Sequence, residues 1–486
     1  MPRAFLGVDV GTSSSKGVLV RPDGEIVRTV VRAHTVSRPV AGQVEMDGDL
    51  WWREFVEIAE ELTAGRDHDV AAVGISGMGP CTLLVDDDDR PVRPAILYGV
   101  DTRASGQIDT LNHLLGADRI LDVCGSVLSS QAVGPKIAWV RENEPDRYRR
   151  ARRLYMPSSW VVHRLTGEYV LDHHSASQSL PLYDIGALAW HESWAERVAP
   201  GIQLPTLRWP GELAGVTRQA LAGIAAGTPV ITGTIDAWSE ALSVDALGVG
   251  DLMVMYGTTM FLIATVDRRM SSRTLWGTAG VAEGSWSLAG GMSASGAITG
   301  WISTIVQAGH PELLAEAQAA GTGAHGLLML PYFAGERTPI SDALARGVVA
   351  GLTLEHTRGD LYRAALEATA YGVRHILEAM TEAGVQVERA VAVGGGTRGG
   401  LWTQVVSDVT GLSQVVPART IGASYGAAIM AAGLEQDVCA GEWNPPRRVC
   451  DPDPTTAALH DERYRLYRDL YDSTCDVVHA LASRPR

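Results

Sequence analysis

A strand, a Gly-Thr turn and a second strand occur twice in this chain, at Phe5 to Val20 (FLGVDVGTSSSKGVLV) and at Leu252 to Val266 (LMVMYGTTMFLIATV). Each tip carries small hydroxyl residues. Hydroxyls beside unhindered backbone N–H groups are what a phosphate needs, because they donate hydrogen bonds and no bulky Cβ blocks the approach. Either hairpin alone reads as an ordinary Gly turn. The pair, about half a chain apart, suggests two similar halves gripping something between them.

A chain of 486 residues is too long for one core of usual size, so two domains of roughly 200 to 250 residues are expected. Net charge of −15 and a pI near 5.3 argue against a nucleic acid or an anionic membrane as main partner. With 46% hydrophobic and 20% charged residues, no long apolar run and no signal-peptide pattern, the composition is that of a soluble globular protein. The five cysteines (Cys81, Cys124, Cys439, Cys450, Cys475) show no CxxC spacing and no pairing with His at metal-ligand intervals. They read as reduced, mostly buried thiols of a cytoplasmic protein. Of 41 basic residues only Lys16 and Lys136 are lysine, so a compact ammonium has a role at those two places or codon bias left them there.

Along the chain, periodicity predicts a helix at Asp49–Leu62, a buried strand at Asp69–Ile75 and an acidic turn at Asp86–Asp89. A helical pattern covers Ile137–Leu165 and includes the basic run Arg147–Arg153, read as a solvated face. The domain boundary is placed near Ala246. Beyond it, strands are expected at Leu252–Tyr256, Met260–Thr265 and Ser285–Ala289, then a helix from Ser295-Gly296, a long helix at Gly359–Ala383, and a strand, Gly-rich loop and helix over Ala390–Thr410. A last helix at His460–Leu481 is expected to pack back on the body. This is an α/β alternation in both halves.

Four segments carry chemistry. In Asp9-Val10-Gly11-Thr12-Ser13-Ser14-Ser15-Lys16 an acid ends a strand, hydroxyls line the turn and a lysine follows. Such an Asp can hold a hydrated Mg²⁺ while Thr12, Ser13 and Lys16 meet phosphate oxygens. Tyr256-Gly257-Thr258-Thr259 is the counterpart in the second half. Asp236 follows the apolar strand Pro229–Thr232 in a Gly-containing turn. It reads either as a helix N-cap or as a carboxylate that accepts a proton from an attacking hydroxyl. Finally, Gly394 to Gly399 satisfies GxGxxG, but no acid ends the next strand (Gln414–Pro417), and a dehydrogenase would leave both Gly-Thr hairpins unexplained.

The first of these segments, Gly134 to Val140 (GPKIAWV), Tyr332 to Pro339 (YFAGERTP), Gly347 to Thr357 (GVVAGLTLEHT) and Gly394 to Gly411, in that order, resemble the FGGY carbohydrate kinases, most closely the xylulokinase-like branch. The likeness runs from about Phe5 to Leu434. It implies an α/β fold of two actin-like ATPase (ribonuclease H-like) domains flanking a central cleft. The first, 1–246, would hold mainly sugar, the second, 247–440, mainly nucleotide, and 441–486 would be a C-terminal extension.

Carried over by position, the resemblance makes Asp236 the catalytic base and Asp9 the acid that orients Mg²⁺. Gly11, Thr12, Ser13, Lys16, Gly257 and Thr258 fall on phosphate-binding turns, and Gly296, Gly396 and Thr397 where ribose and adenine are held. Met78, Gly79, Tyr98 and Asp101 fall on the sugar side. Where xylulokinases generally carry Met-His-Gly, this chain has Met78-Gly79-Pro80-Cys81, so the sugar itself stays open. Val133 also departs from the pattern around Lys136.

The expected activity is ATP-dependent phosphorylation of a small ketose or polyol, a xylulose-like pentulose first, with ATP and Mg²⁺ as cofactors. Sugar and ATP are the expected partners, with no nucleic acid and no membrane; a homodimer stays open. An actin-like ATPase acting as a chaperone, a sugar sensor without turnover and, more remotely, an NAD(P)-dependent oxidoreductase remain alternatives.

Overall fold

The computed structural model describes residues 1–483 and divides into two compact units. The first comprises Met1–Leu247, Val266–Ser287 and Ile421–Pro445; the second comprises Gly248–Thr265, Leu288–Thr420 and the described residues from Pro446. The single cuts expected after residues 246 and 440 therefore differ from these interleaved units, since two later segments return to the first.

In the first unit the sheet runs Leu213–Val216, Pro229–Ile231, Asp69–Gly77, Arg3–Val10, Ser14–Val20, Ile26–Ala33, with Thr234–Ile235 also paired to Asp69–Gly77. Arg3–Val10 is antiparallel to Ser14–Val20 and parallel to Asp69–Gly77. A strand covered on both faces needs apolar residues at successive positions, and Ala4 to Val8 are all buried. One face takes the helix Gly48–Thr63 through Trp51, Phe55, Ile58 and Leu62, spaced for a single helical stripe. Against the other lies the helix Ala423–Ala432, buried at every residue. That helix comes close because glycine lies beneath it: a Cβ on Gly7 would stand 2.0 Å from the Ser424 carbonyl oxygen, and one on Gly74 2.0 Å from that of Ala427.

The helix expected over Ile137–Leu165 is broken into Val133–Asn143, Pro145–Arg150 and Pro157–Thr166, with a strand, Arg153–Tyr155, before the last. Pro145 and Pro157 each start a helix and force the residue before them out of helical dihedrals, which the apolar periodicity hides. The basic run and the acidic turn meet. Arg153 lies 2.5 Å from Asp89 and Arg152 3.2 Å from Asp87, so each supplies the other's counter-charge.

The sheet of the second unit runs Trp286–Gly291, Met260–Val266, Asp251–Tyr256, Arg389–Val393, Gln414–Pro417, Pro446–Cys450. It repeats the first plan, with an antiparallel hairpin followed by a parallel strand on the hairpin's first strand. The long helix Arg358–Glu382 opens on a capping box in which Thr357 and Asp360 bond each other's backbone. The last helix, Ala457–Ala482, packs onto the same unit, where Tyr467 and Tyr332 hydroxyls are 2.7 Å apart.

Candidate active site

In the first unit, three parallel strands end side by side. Asp9 on Arg3–Val10 is in register with Ser76 on Asp69–Gly77, and Ser76 with Thr234. The carboxyl ends of parallel strands are where an open α/β sheet presents a ligand site. Asp236, two residues beyond Thr234, is the first residue of the helix Asp236–Ser243, while the N-cap position belongs to Ile235. Its Oδ1 accepts from the Ala237 N–H at 2.7 Å, and the positive helix end favours the anion.

The Ser76 hydroxyl donates to Asp9 Oδ1 at 2.9 Å. Burial raises the proton affinity of Asp9, the Asp236 and Glu240 charges raise it further, and Ser76 and Lys16 oppose them. Asp236 is raised as well, by burial. Glu240 is pushed up to about 7 by burial and then by Asp236. Lys16 pairs in register with Asp9 and donates to the Ile421 carbonyl. Glu240 was absent from the sequence-based set, although its i, i+4 spacing from Asp236 places both on one helical face.

A stability consequence follows for Glu240. Between its ordinary value of 4.5 and about 7 the folded protein holds a proton that the unfolded chain has released. The contribution to stability is fully present below the lower value and is lost as pH rises through the upper one. Glu240→Gln removes that loss, so its melting temperature relative to the parent rises from about pH 5 to about pH 8. Thermal melts at the two values check this; a difference independent of pH, or one of opposite slope, would contradict it.

Among the residues expected on the sugar side, Tyr98 has its hydroxyl 2.8 Å and Met78 its Sδ 3.6 Å from Thr12 Oγ1. Thr12, expected on phosphate, thus turns its hydroxyl toward two residues expected on sugar. Met78 N–H donates to the Val10 carbonyl at 2.8 Å, and Gly79 lies so close to Ile235 that a Cβ would stand 2.7 Å from Cγ1. Asp101, expected to meet sugar, is 1% exposed, and its carboxylate takes the Val44 N–H at 2.6 Å and Arg103 Nη2 at 2.7 Å. It therefore positions Arg103, which also reaches Glu45 at 2.7 Å.

Sequence reading also missed Gln131, whose Oε1 accepts from Gly99 N–H at 3.0 Å, and His34. Nε2 of His34 donates to the Gly11 carbonyl at 3.0 Å and Nδ1 lies 2.9 Å from Glu54, which steadies the first turn. Neither residue belongs to a local motif. Lys136 is buried, and desolvation lowers its ammonium to about 8, partly offset by Cys81 and Asp101.

In the second unit the turn carbonyls hold the start of the helix Gly296–Val306. Gly257 O accepts from Gly296 N–H and from Ser295 Oγ, both at 3.1 Å, and Thr258 O accepts from the Ser295 and Ala297 N–H groups at 3.1 Å. A Cβ on Gly296 would stand 2.5 Å from Gly257 O. The Gly-rich loop lies against the same turn: Gly394 has φ +93°, and a Cβ there would be 2.6 Å from Tyr256 O. A Cβ on Gly396 would meet the Trp402 ring at 2.6 Å. Thr397 Oγ1 donates to Gly394 O at 2.9 Å. Gly257, Thr258, Gly296, Gly396 and Thr397 are thus gathered on one side of one unit.

Two units of this repeated design, one with acids at its strand ends and the other with clustered glycine turns, have the architecture of actin-like, nucleotide-dependent enzymes. The FGGY family of carbohydrate kinases matches this chain with its N-terminal domain over residues 4–243 and its C-terminal domain over residues 252–434. The chain belongs to that family and is an ATP-dependent carbohydrate kinase.

Xylulose kinase of Escherichia coli strain K12 is 28% identical over 98% of this chain and 100% of its own length. Glycerol kinase 2 of Streptomyces coelicolor is 31% identical over 96% of each. The crystal structure of xylulose kinase from Rhodospirillum rubrum superimposes with a TM-score of 0.90 at 28% identity, covering 98% of this chain and 100% of that one. Among the described residues no helix is long and apolar enough to cross a membrane.

Proposed function

We propose that this kinase transfers the γ-phosphate of ATP to a hydroxyl of a xylulose-like pentulose, with Asp236 as the proton acceptor. The observation that carries this is the grouping of Asp236 with Asp9 at the strand ends, together with the Thr12–Tyr98 pair and Met78. A carboxylate with raised proton affinity is suited to take a proton from an alcohol as that oxygen attacks phosphorus. Thr12 and Tyr98, each able to donate and accept, orient the sugar, with Met78 and Gly79 forming the adjoining wall. Asp101 acts at one remove by holding Arg103. Since phosphoryl transfer asks mainly for positioning and charge stabilisation, these contacts supply most of the acceleration.

Gly11, Ser13 and Lys16 are assigned to phosphate oxygens, Gly257 and Thr258 likewise, and Gly296, Gly396 and Thr397 to ribose and adenine. Mg²⁺ belongs to this assignment. The Asp236 and Glu240 charges act on Asp9 and Lys16 opposes them, and carboxylate oxygens suit a hydrated hard cation. Asp9 would hold it, and when bound it neutralises charge on the transferring phosphate. The cysteines are all free, which supports a cytoplasmic setting.

The xylulose kinases among the relatives favour a pentulose, and the glycerol kinase keeps a polyol as the second choice. Coupled ADP release over pentuloses, hexuloses, pentitols, glycerol and sugar acids tests this. A pentulose is expected to give the highest kcat/KM. Preference for glycerol would replace pentulose with polyol, and flat rates across the panel would overturn sugar phosphorylation altogether.

A further inference from the structure

Cysteine spacing in the sequence was read as lacking any His partner at a metal-ligand interval, yet Cys475 and His479 stand one turn apart on the helix Ala457–Ala482. Residues four apart share a helical face. Asp342, from the loop that follows Tyr332, meets them: its Oδ2 lies 2.7 Å from His479 Nε2, and Cys475 Sγ lies 3.5 Å from the same nitrogen. The three ligand atoms all lie within 4.8 Å of one another.

The carboxylate meets Nε2, and the thiol lies beside the same ring edge, 3.5 Å from Nε2 and 3.9 Å from Nδ1. Three ligand atoms of different type thus lie close enough together for one ion to touch all of them. The carboxylate is held in place. Tyr471 hydroxyl donates to Oδ2 at 2.8 Å, and the Leu344 and Ala345 N–H groups donate to Oδ1 at 2.9 and 3.1 Å. Leu330, Ala345 and Val478 form apolar walls beside the cluster, while the His479 side chain keeps 35% exposure and so an opening to solvent.

We propose that Asp342, Cys475 and His479 bind a borderline divalent cation, Zn²⁺ by preference, with water in the fourth position. Sulfur and imidazole donors favour Zn²⁺ over Mg²⁺, and three protein ligands leave one tetrahedral position open. On binding, the Cys475 thiol proton passes to solvent, and His479 carries its remaining proton on Nδ1.

Such an ion clasps the last helix to the loop. Asp342 exchanges two backbone hydrogen bonds with Glu336 at 2.7 and 2.9 Å, and the Glu336 carboxylate accepts from Ser293 N–H at 2.7 Å, just before the helix Gly296–Val306. The clasp is separate from the carboxylates of the first unit, which offer only oxygen.

Titration of the metal-free full chain with Co²⁺ tests this. One sulfur-bound ion per chain is expected, with the visible bands of a tetrahedral centre and a sulfur-to-cobalt charge-transfer band that added Zn²⁺ removes. Cys475→Ser and His479→Ala should lose the charge-transfer band, and Asp342→Asn should weaken binding by at least about tenfold. Cys439→Ala, at the exposed cysteine, should keep it. Circular dichroism and sugar-dependent ADP release, both expected unchanged in the variants, show that they fold. Absence of the band in the parent protein, its survival in Cys475→Ser, or its loss in Cys439→Ala overturns the proposal.

Discussion

Asp236→Asn lowers kcat for sugar-dependent ADP release by about 10²- to 10⁴-fold, the range expected for loss of a positioned proton acceptor. Asparagine keeps the shape of the side chain and an oxygen that accepts from Ala237 N–H, a bond of 2.7 Å in the parent, so the helix start is preserved. What disappears is the charge. Sugar KM should move far less than kcat, because an interaction made mainly in the transition state lowers kcat and kcat/KM together. Asp9 also loses the neighbouring charge that raises its proton affinity, so metal dependence should persist in the residual activity. Steady-state kinetics with equal protein folding by circular dichroism decides the matter. A variant retaining more than half the parent kcat would remove Asp236 from the chemistry.

Gly74→Ala is expected to destabilise the first unit by about 3 kcal/mol or more, well beyond a typical surface change. The new methyl would stand 2.0 Å from the Ala427 carbonyl oxygen, and backbone cannot swing aside as a flexible side chain can. The helix Ala423–Ala432 must then lift from the strand, exposing residues buried along its whole length. Gly106→Ala provides the control. It lies in the helix Ser105–Leu115 with nothing within 4 Å of its added Cβ, so the same chemical change should stabilise by about 0.5 to 1 kcal/mol. Chemical denaturation followed by tryptophan fluorescence compares them. Equal and small effects at both positions would mean that the close approach at Gly74 carries no energetic weight.

Much of this fold is written locally. The strands of both hairpins, the long helix Arg358–Glu382 and the strand Gln414–Pro417 were readable within a residue or two, because apolar period and turn residues report dihedral preference directly. The helix over Ile137–Leu165 was misread where two prolines outweighed the period. Asp9 announced itself by ending a strand before hydroxyls. Asp236 looked more like an N-cap until its family position was considered, and Glu240, His34 and Gln131 carried no motif at all. Asp101 lay in a recognisable segment, yet its carboxylate is taken up by Arg103 and Val44. Which group a buried acid faces depends on packing between distant segments, and spacing along the chain does not encode it.

The sequence by itself determined the two Gly-Thr hairpins, the α/β alternation in each half and the family to which the chain belongs, since each rests on residues close together or on motifs in order. Only the tertiary structure decided that Ile421–Pro445 returns to the first unit, where Gly7 and Gly74 admit its helix. It also decided that Asp9, Ser76 and Thr234 stand in register beside Asp236, and that Asp342 reaches Cys475 and His479. Parallel strands carry no turn to set their alignment, so their register comes from how the covering helices pack, and that is a property of the whole folded chain.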